Sequence, residues 1–233
     1  YIFDVDGTLT PSRQPMTEKF LEFFNSWSKG NSFYLVTGSD LDKTKEQVPR
    51  YILERAEAVF TCCGNEMWVK EKQEYRKEFK PPNTLLTYLG DRVRMSDYPI
   101  KAGNHIEDRG TLLNFSIVGR ECTQEQRKEY SKWDTLNEER KEIARTIGFR
   151  WSELDAVIGG QISIDIYPKG NDKSQVLKHI CNDKNEYLFI GDGIDNRGND
   201  YPLARLMNNT ENCSSYQTRD WKHTKLILES FNG

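Results

Sequence analysis

The sequence predicts an α/β protein whose core is a parallel sheet flanked by helices, with an α+β segment inserted into that core. Strand and helix patterns alternate between residues 1 and 61, and the alternation returns after Pro168. Such an order is typical of a parallel sheet with crossover helices. The intervening segment lacks this alternation. We therefore predict a core built from residues 1–77 and 169–233, and an α+β domain over residues 78–168.

The predicted core strands are short apolar runs that end abruptly in polar residues. They cover residues 1–3, 33–36, 58–61 and 187–190. Helices are predicted between them. One follows Thr17, a preferred N-cap residue, and carries apolar residues at helical spacing. A second begins near Asp40, and a third is capped by Asp172.

The inserted segment combines strands with polar helices. Residues 112–118 predict a strand, and capping-box patterns at Thr123 and Thr135 predict the starts of two helices. In residues 156–167 apolar and polar residues alternate, which places isoleucines on one face of a strand. The opposite face carries Gln161, Ser163 and Asp165. We expect the first face to lie in the core and the second to make polar contacts.

The composition favours a folded chain without nucleic-acid or membrane partners. Aromatic residues make up 12% of the 233 residues, whereas disordered chains are poor in them. Lys and Arg total 33 against 36 for Asp and Glu, and the net charge of −3 gives no electrostatic case for binding nucleic acid. No apolar run reaches the roughly 18 residues that a membrane span needs. The five cysteines form no CxxC pair, which predicts free thiols in a reducing compartment such as the cytoplasm.

Polar residues follow three of the predicted core strands, at the edge where ligands of open α/β sheets bind. They are Asp4 and Asp6, Thr37 and Ser39, and Asp192. A single acidic residue at a strand end is often only a cap or turn residue. A converging set of carboxylates needs a hard cation to offset its repulsion, and Mg²⁺ takes one or two carboxylates together with substrate phosphate oxygens.

These residue types suit phosphoryl transfer, which needs mainly alignment and charge neutralisation. Asp4 is a candidate nucleophile that would form an aspartyl phosphate, and Asp6 is a candidate for proton exchange with a sugar hydroxyl group. Thr37 or Ser39 would hydrogen-bond the transferred phosphoryl group. Lys173, at the start of a predicted helix, would neutralise charge on the phosphate and the nucleophile.

The segment from Asp4 to Thr10, DVDGTLT, resembles the first motif of the haloacid dehalogenase superfamily. Thr37, Lys173 and Gly191-Asp192 stand where the other three motifs of that superfamily belong. The resemblance implies a haloacid dehalogenase-like Rossmannoid core with an inserted cap domain. A narrower set of segments resembles the eukaryotic-type phosphomannomutases. The set comprises DVDGTLTPSRQ from Asp4, RGTLLN from Arg109, GREC from Gly119, GGQISID from Gly159 and GND from Gly198.

The resemblance implies roles for individual residues. By it Asp4 would be the nucleophile, Asp6 would be the general acid/base, and both would hold Mg²⁺ together with Asp192. The residues implied to contact the phosphosugar are Arg13, Arg109, Arg120, Arg127, Ser163 and Asp165. Arginine suits this role because its planar fork binds phosphate oxygens bidentately. The resemblance also implies a hexose 1,6-bisphosphate as activator, a homodimer joined through the cap, and a role in supplying GDP-mannose synthesis.

Three segments depart from the family pattern. Family members usually read Gly-Gly-Ser-Asp where this chain has Thr37-Gly38-Ser39-Asp40, and we favour Thr37 over Ser39 as the phosphate contact. Residues 193–197 replace a loop that usually contains Lys-Thr. Within this segment Asp195 is a further candidate for the metal site, and Arg197 has no assigned role. Residues 204–206 carry no carboxylate where the family has a second cation-binding segment.

The implied activity is the interconversion of α-mannose 1-phosphate and mannose 6-phosphate. The alternative is a sugar phosphatase that uses the same core residues and hydrolyses the aspartyl phosphate. A non-catalytic phosphosugar-binding protein is disfavoured because Asp4, Asp6, Lys173 and Asp192 are all present. The preference between mannose and glucose phosphates stays open, since discrimination at one hydroxyl group varies widely between sites.

Overall fold

The computed structural model describes residues 1–182, 184–195 and 198–231. The strands are β1 (Ile2–Phe3), β2 (Tyr34–Val36), β3 (Ala58–Thr61), β4 (Glu66–Val69), β5 (Lys72–Arg76), β6 (Ile106–Asp108), β7 (Leu113–Phe115), β8 (Leu154–Gly159), β9 (Ser163–Pro168), β10 (Tyr187–Gly191) and β11 (Cys213–Gln217). The helices are α1 (Glu18–Trp27), α2 (Leu41–Gln47), α3 (Arg50–Leu53), α4 (Asn83–Met95), α5 (Gln124–Asn137), α6 (Glu139–Arg150), α7 (Leu177–Ile180), α8 (Tyr201–Asn208) and α9 (Trp221–Ser230). Two 3₁₀ segments, Cys62–Gly64 and Lys173–Val176, follow β3 and precede α7.

Contacts within the chain divide it into two compact units. The core unit comprises Tyr1–Arg76 and Asp172–Gly233, and the inserted unit comprises Lys77–Asn171. The predicted boundaries after residues 77 and 168 lie within three residues of the observed ones.

The core unit is built on a seven-stranded sheet in the order β11-β10-β1-β2-β3-β4-β5. The strands from β11 to β3 are parallel, and β4 and β5 extend the sheet as an antiparallel hairpin. This parallel sheet flanked by helices confirms the predicted fold class. The sequence pattern predicted neither the hairpin of β4 and β5 nor β11. Strands β5 and β11 lie at the edges of the sheet, are mostly exposed and carry few apolar residues.

The two faces of β1 contact different layers of helices. Phe3 lies in a buried cluster with Phe24 and Trp27 of α1, whereas Ile2 lies in a second cluster with Leu203 of α8. Strand geometry explains the division, because successive side chains point to opposite faces of a sheet. Helices therefore cover both faces of the parallel sheet, and polar residues occur where its strands end.

The inserted unit contains a four-stranded antiparallel sheet in the order β6-β7-β9-β8. Leu113 and Phe115 of β7 share one face with Ile164 and Ile166 of β9, and all four are fully buried. They form a core with apolar residues of α4, α5 and α6, including Leu89, Tyr130 and Ile147. The isoleucine face predicted from the alternation is therefore confirmed as a core face.

Two predictions for the inserted unit need correction. The capping box at Thr123 is present, with both reciprocal hydrogen bonds to Gln126. The capping box predicted at Thr135 is wrong, because Thr135 lies inside α5 and its hydroxyl group donates to the carbonyl of Ser131 one turn earlier. Helix α6 begins instead at Glu139, after Glu138 adopts a left-handed conformation with φ 51°.

Two strand predictions were too long. The strand predicted over residues 112–118 covers only Leu113–Phe115. The alternating run over residues 156–167 belongs to two antiparallel strands, β8 and β9, because the chain reverses between Gly159 and Ser163. Gly160 lies in this reversal with φ +50°, a conformation that glycine adopts without steric cost.

The composition led us to expect no membrane-spanning helix and no disulfide bond. In the described residues, no helix combines the length and the apolar content that crossing a membrane requires. The five cysteines all belong to the described part of the chain and form no disulfide there.

Candidate active site

Strand ends place the first candidate residues at one edge of the parallel sheet. Asp4 follows β1, and its backbone N–H donates to the carbonyl of Ile190 on β10 at 3.0 Å. Thr37 follows β2, and its backbone N–H donates to Phe60 on β3 at 2.9 Å. Asp192 follows β10 directly. Because β1, β2 and β10 are adjacent and parallel, their carboxyl ends meet at the same edge.

Lys173 lies between two carboxylates in the interior of the core unit. Its Nζ donates to Asp4 Oδ1 and to Asp200 Oδ1, both at 2.6 Å, and the lysine side chain is 0% exposed. Burial alone would lower the pKa of Lys173, but the charges of Asp200 and Asp4 outweigh it and hold that pKa well above its usual value. The ammonium group is therefore a fixed positive charge beside the candidate nucleophile.

Three carboxylates converge at this point. Asp4, Asp192 and Asp200 each offer one oxygen, and these oxygens lie within 4.8 Å of one another. Burial is the main cause that raises the pKa of Asp4, with the charges of Asp200 and Asp192 adding to it. Asp192 is exposed as a residue, but protein atoms crowd its carboxyl group. This desolvation, together with the charge of Asp200, raises the pKa of Asp192 to about 7.

The acidic trio fits a divalent cation. Three carboxylates with a single lysine leave negative charge uncompensated, and this repulsion adds to burial, the larger cause, in raising the pKa values of Asp4 and Asp192. A hard cation such as Mg²⁺ takes oxygen ligands of this kind and would offset the excess charge. Asp195 is exposed and is not one of the three. Arg197 lies outside the described residues.

The carboxylate of Asp6 faces other partners. Its Oδ1 accepts from the backbone N–H of Arg13 at 2.6 Å and from Gln47 Nε2 at 2.9 Å. Its Oδ2 accepts from the hydroxyl group of Ser39 at 3.4 Å. These contacts suit a residue that moves a proton. Asp6 was predicted to hold the metal ion, but it is not one of the three converging carboxylates. The third is Asp200, which the sequence analysis did not name as a metal ligand.

Gly7 keeps the space that Asp192 occupies. A Cβ atom at Gly7 would lie 2.2 Å from Asp192 Oδ2, and the φ of +80° disfavours any side chain there. We expect Gly7→Ala to displace the Asp192 carboxylate and to weaken Mg²⁺ binding by about tenfold or more, because a misplaced ligand loses its coordination geometry. Isothermal titration with Mg²⁺ measures the change. Gly30→Ala is the control, since a Cβ atom there meets nothing within 4 Å, and equal Mg²⁺ affinity in Gly7→Ala and wild type would contradict the assignment.

A row of polar side chains crosses the sheet of the inserted unit on the face opposite its core. Glu107 of β6 pairs with Asn114 of β7, which in turn pairs with Asp165 of β9. Asn114 Nδ2 donates to Asp165 Oδ1 at 2.6 Å. Both residues are buried, so that the face predicted to make polar contacts makes them within the unit.

Two candidate phosphosugar residues gather around Glu107. Arg109 Nη2 and Arg120 Nε each lie 3.1 Å from Glu107 Oε2. Arg120 Nη1 also donates to the Ser163 hydroxyl group at 2.9 Å. The inserted unit thus brings Arg109, Arg120 and Ser163 into one cluster with a carboxylate that the sequence analysis did not identify.

A buried ion pair fixes the chain reversal that precedes Ser163. Arg140 Nε donates to Asp134 Oδ2 at 2.7 Å, and Arg140 Nη1 donates to the carbonyl of Gly160 at 3.0 Å. Since Gly160 lies in the connection between β8 and β9, this pair holds the turn that positions Ser163. Arg127, also buried, lies in the first part of α5 in the same unit.

The sequence analysis missed three residues that hold the candidates in place. Asp200 pairs with Lys173, Glu107 bridges two arginines, and Gln47 holds Asp6. Glu107 could have been found, because residues i and i+2 of a strand share a face and Glu107 precedes Arg109 by two. Asp200 lies in the GND segment that resembles the family, but nothing in its spacing shows that it would reach Lys173.

Solved structures with low sequence identity show the class of fold. A haloacid dehalogenase-like hydrolase from Bacteroides thetaiotaomicron is similar with a TM-score of 0.59 and 14% identity, over 99% of this chain and 98% of that one. An N-terminally truncated, IMP-bound IMP-nucleotidase from Plasmodium falciparum is similar with a TM-score of 0.62 and 17% identity, over 99% of this chain and 67% of that one. The chain has a haloacid dehalogenase-like fold, as its first motif predicted.

Sequence comparison narrows the class to a family. The sequence model of the eukaryotic phosphomannomutase family matches residues 20–227. A phosphomannomutase of Encephalitozoon cuniculi (strain GB-M1) is 38% identical over 218 residues, which are 87% of this chain and 83% of that protein. A phosphomannomutase of Dendrobium officinale is 35% identical over 214 residues, with the same shares of the two chains. The chain belongs to the eukaryotic phosphomannomutase family, and the resemblance seen in its motifs is confirmed.

Proposed function

We propose that this protein is a phosphomannomutase that interconverts α-D-mannose 1-phosphate and D-mannose 6-phosphate. The observation that carries the proposal is the buried contact of Lys173 with Asp4 at 2.6 Å, in a chain of the phosphomannomutase family. A lysine held against one oxygen of a carboxylate supports attack by the other oxygen on phosphorus. The arginine pair around Glu107 supports a mutase over a phosphatase, because a mutase must also bind the phosphate that is not transferred.

The first chemical step forms an aspartyl phosphate. Lys173 holds Asp4 Oδ1, so that Oδ2, contacted by the Thr8 hydroxyl group at 3.3 Å, attacks phosphorus. The bond from phosphorus to the sugar oxygen breaks, and Asp6 gives its proton to that oxygen. In the return step the free hydroxyl group of a bound sugar monophosphate, at the end opposite its own phosphate, loses its proton to Asp6 and attacks the aspartyl phosphorus, which gives the sugar bisphosphate. Asp4 is then released as a carboxylate, so that atoms and charges balance.

Thr37 is the better candidate for hydrogen-bonding the phosphoryl group during transfer. The hydroxyl group of Ser39 donates to Asp6, whereas the Thr37 hydroxyl oxygen accepts from the backbone N–H of Ser39 at 3.0 Å. The Thr37 hydroxyl group can therefore donate its own hydrogen bond to a phosphate oxygen. Asp4, Asp192 and Asp200 would hold Mg²⁺, which supplies charge neutralisation for phosphate oxygens when it is bound.

The family also supports proposals about the setting of the reaction. The first phosphoryl group would come from a hexose 1,6-bisphosphate, and the product would supply GDP-mannose synthesis in the cytoplasm. We further propose a homodimer joined through the inserted unit. Leu136 and Phe149 of that unit are 86% and 88% exposed, and burying them against a second copy would remove their apolar surface from water. Sedimentation velocity distinguishes a dimer from a monomer.

Phosphorus NMR tests the mutase directly. The protein is mixed with Mg²⁺, α-mannose 1-phosphate and a trace of glucose 1,6-bisphosphate, and we expect a growing mannose 6-phosphate signal that chelation of the metal stops. If only the inorganic phosphate signal grows, the protein is a sugar phosphatase and the mutase proposal is wrong. An unchanged spectrum would contradict both activities on this sugar, and the same experiment with glucose 1-phosphate would measure the epimer preference.

A further inference from the structure

One carboxylate oxygen in the inserted unit is shared by two arginines. Glu107 Oε2 lies 3.1 Å from Arg109 Nη2 and 3.1 Å from Arg120 Nε. The arginine side chains are only 4% and 9% exposed, whereas the Glu107 side chain is 24% exposed. Glu107 is thus the most accessible member of a charged trio whose guanidinium groups are largely enclosed.

The position of Glu107 follows from the sheet. Glu107 lies opposite Asn114, which lies opposite Asp165, so the three side chains share one sheet face. Arg120 reaches the same region, since it also donates to Ser163 on β9. The carboxylate therefore lies among the residues implied to contact the phosphosugar, at a position where its charge acts on any phosphate bound there.

The charge of the trio determines how strongly it attracts a phosphate. Within the trio the carboxylate of Glu107 offsets part of the positive charge that the two guanidinium groups offer to a phosphate dianion. Charges within a few ångströms interact strongly where water is scarce, so that the carboxylate opposes phosphate binding substantially. A structural ion pair needs only one arginine, whereas here both arginines are held by the same oxygen.

We propose that Glu107 is a counter-ion that lowers the affinity of the arginine pair for sugar phosphates and so permits their exchange. The proposal rests on the mutase function, because a mutase must release or turn its doubly phosphorylated intermediate between two transfers. Tighter binding of substrate and transition state alike does not accelerate the chemical step. Without the carboxylate of Glu107, the arginine pair would therefore hold the intermediate longer without making it react faster.

Glu107→Gln tests the charge while keeping the shape of the side chain. Its amide oxygen still accepts hydrogen bonds from the arginines, but the negative charge is gone. In an Asp4→Asn background, which binds without turnover, we expect the Kd for α-mannose 1-phosphate to fall by about threefold to tenfold. High salt should reduce this gain, because screening weakens charge interactions. Isothermal titration calorimetry measures both effects.

A matched control separates this local effect from the net charge of the unit. Glu121→Gln removes the same charge beside Arg120 in sequence, but Glu121 is exposed and is not part of the trio. We expect its Kd to equal that of the parent. Thermal unfolding of each variant shows whether the fold is kept, and Glu107→Asp, which restores the charge, should return the Kd towards the parental value.

Steady-state kinetics provide the second readout. With Asp4 intact, Glu107→Gln should lower KM and kcat together, because release of bound phosphosugar becomes slower. A higher KM or Kd would contradict the proposal and would make Glu107 an aligning residue. Unchanged constants in a folded variant would contradict it as well. If wild type shows no mutase activity but Glu107→Gln still tightens binding in calorimetry, the counter-ion role stands and the proposed function fails.

Discussion

Replacing Asp4 by Asn is expected to lower kcat by about four orders of magnitude or more, because the variant lacks the carboxylate that we propose attacks phosphorus. The change is nearly isosteric and removes one charge from three converging carboxylates. Because Lys173 keeps Asp200 as a counter-charge, the free energy of unfolding should not fall by more than about 1 kcal/mol. Steady-state turnover of α-mannose 1-phosphate and chemical denaturation measure the two quantities.

Asp42→Asn is the matched control for this substitution. Asp42 is exposed in the first turn of α2, so that the same chemical change is made in the same unit away from the acidic trio. We expect its kcat to equal that of wild type. If the Asp4→Asn variant keeps more than about a hundredth of the wild-type kcat, Asp4 is not the nucleophile.

Replacing Lys173 by Met is expected to damage both stability and activity. Lys173 is fully buried between Asp4 and Asp200, and its loss leaves two buried carboxylates without a counter-charge. Removing one partner of such a pair costs about 3–5 kcal/mol of unfolding free energy. We expect kcat to fall by about a thousandfold, because the positive charge beside the proposed nucleophile is lost. Lys178→Met, on the exposed side of α7, should change neither quantity.

A double variant separates the two effects of Lys173. Adding Asp200→Asn to Lys173→Met removes one of the two stranded charges, and we expect about 1–2 kcal/mol of stability to return. Activity should stay low, since the ammonium group beside Asp4 is still missing and one of the three carboxylates proposed to hold Mg²⁺ is now lost as well. Recovery of activity together with stability would show that Lys173 acts only by supporting the fold.

The sequence predicted the parts of the fold that depend on local pattern. Apolar runs ending in polar residues located the strands that carry Asp4, Thr37 and Asp192, because a buried parallel strand needs a continuous apolar run. The alternation around Ile164 located the core face of β9. Motif spacing then predicted the family, which is why the candidate nucleophile Asp4 and its neighbour Lys173 could be named together.

The rest depends on contacts between distant parts of the chain. Asp200 meets Lys173 only because helix α8 and the 3₁₀ segment Lys173–Val176 lie in the same buried cluster. The contact of Gln47 with Asp6 joins residues 41 positions apart. At Thr135 the local pattern itself misled the prediction. The sequence has the residues of a capping box there, but α5 continues through Thr135 and no helix begins at it.

The most direct test of the account is to find the phosphoryl group on the protein. The protein is mixed with Mg²⁺ and glucose 1,6-bisphosphate labelled in both phosphates with ³²P, quenched in acid and digested. We expect the label on the peptide that contains Asp4, and we expect unlabelled mannose 1-phosphate added before the quench to carry it away as labelled sugar bisphosphate. Label on another residue, or its release only as inorganic phosphate, would contradict a mutase that works through Asp4.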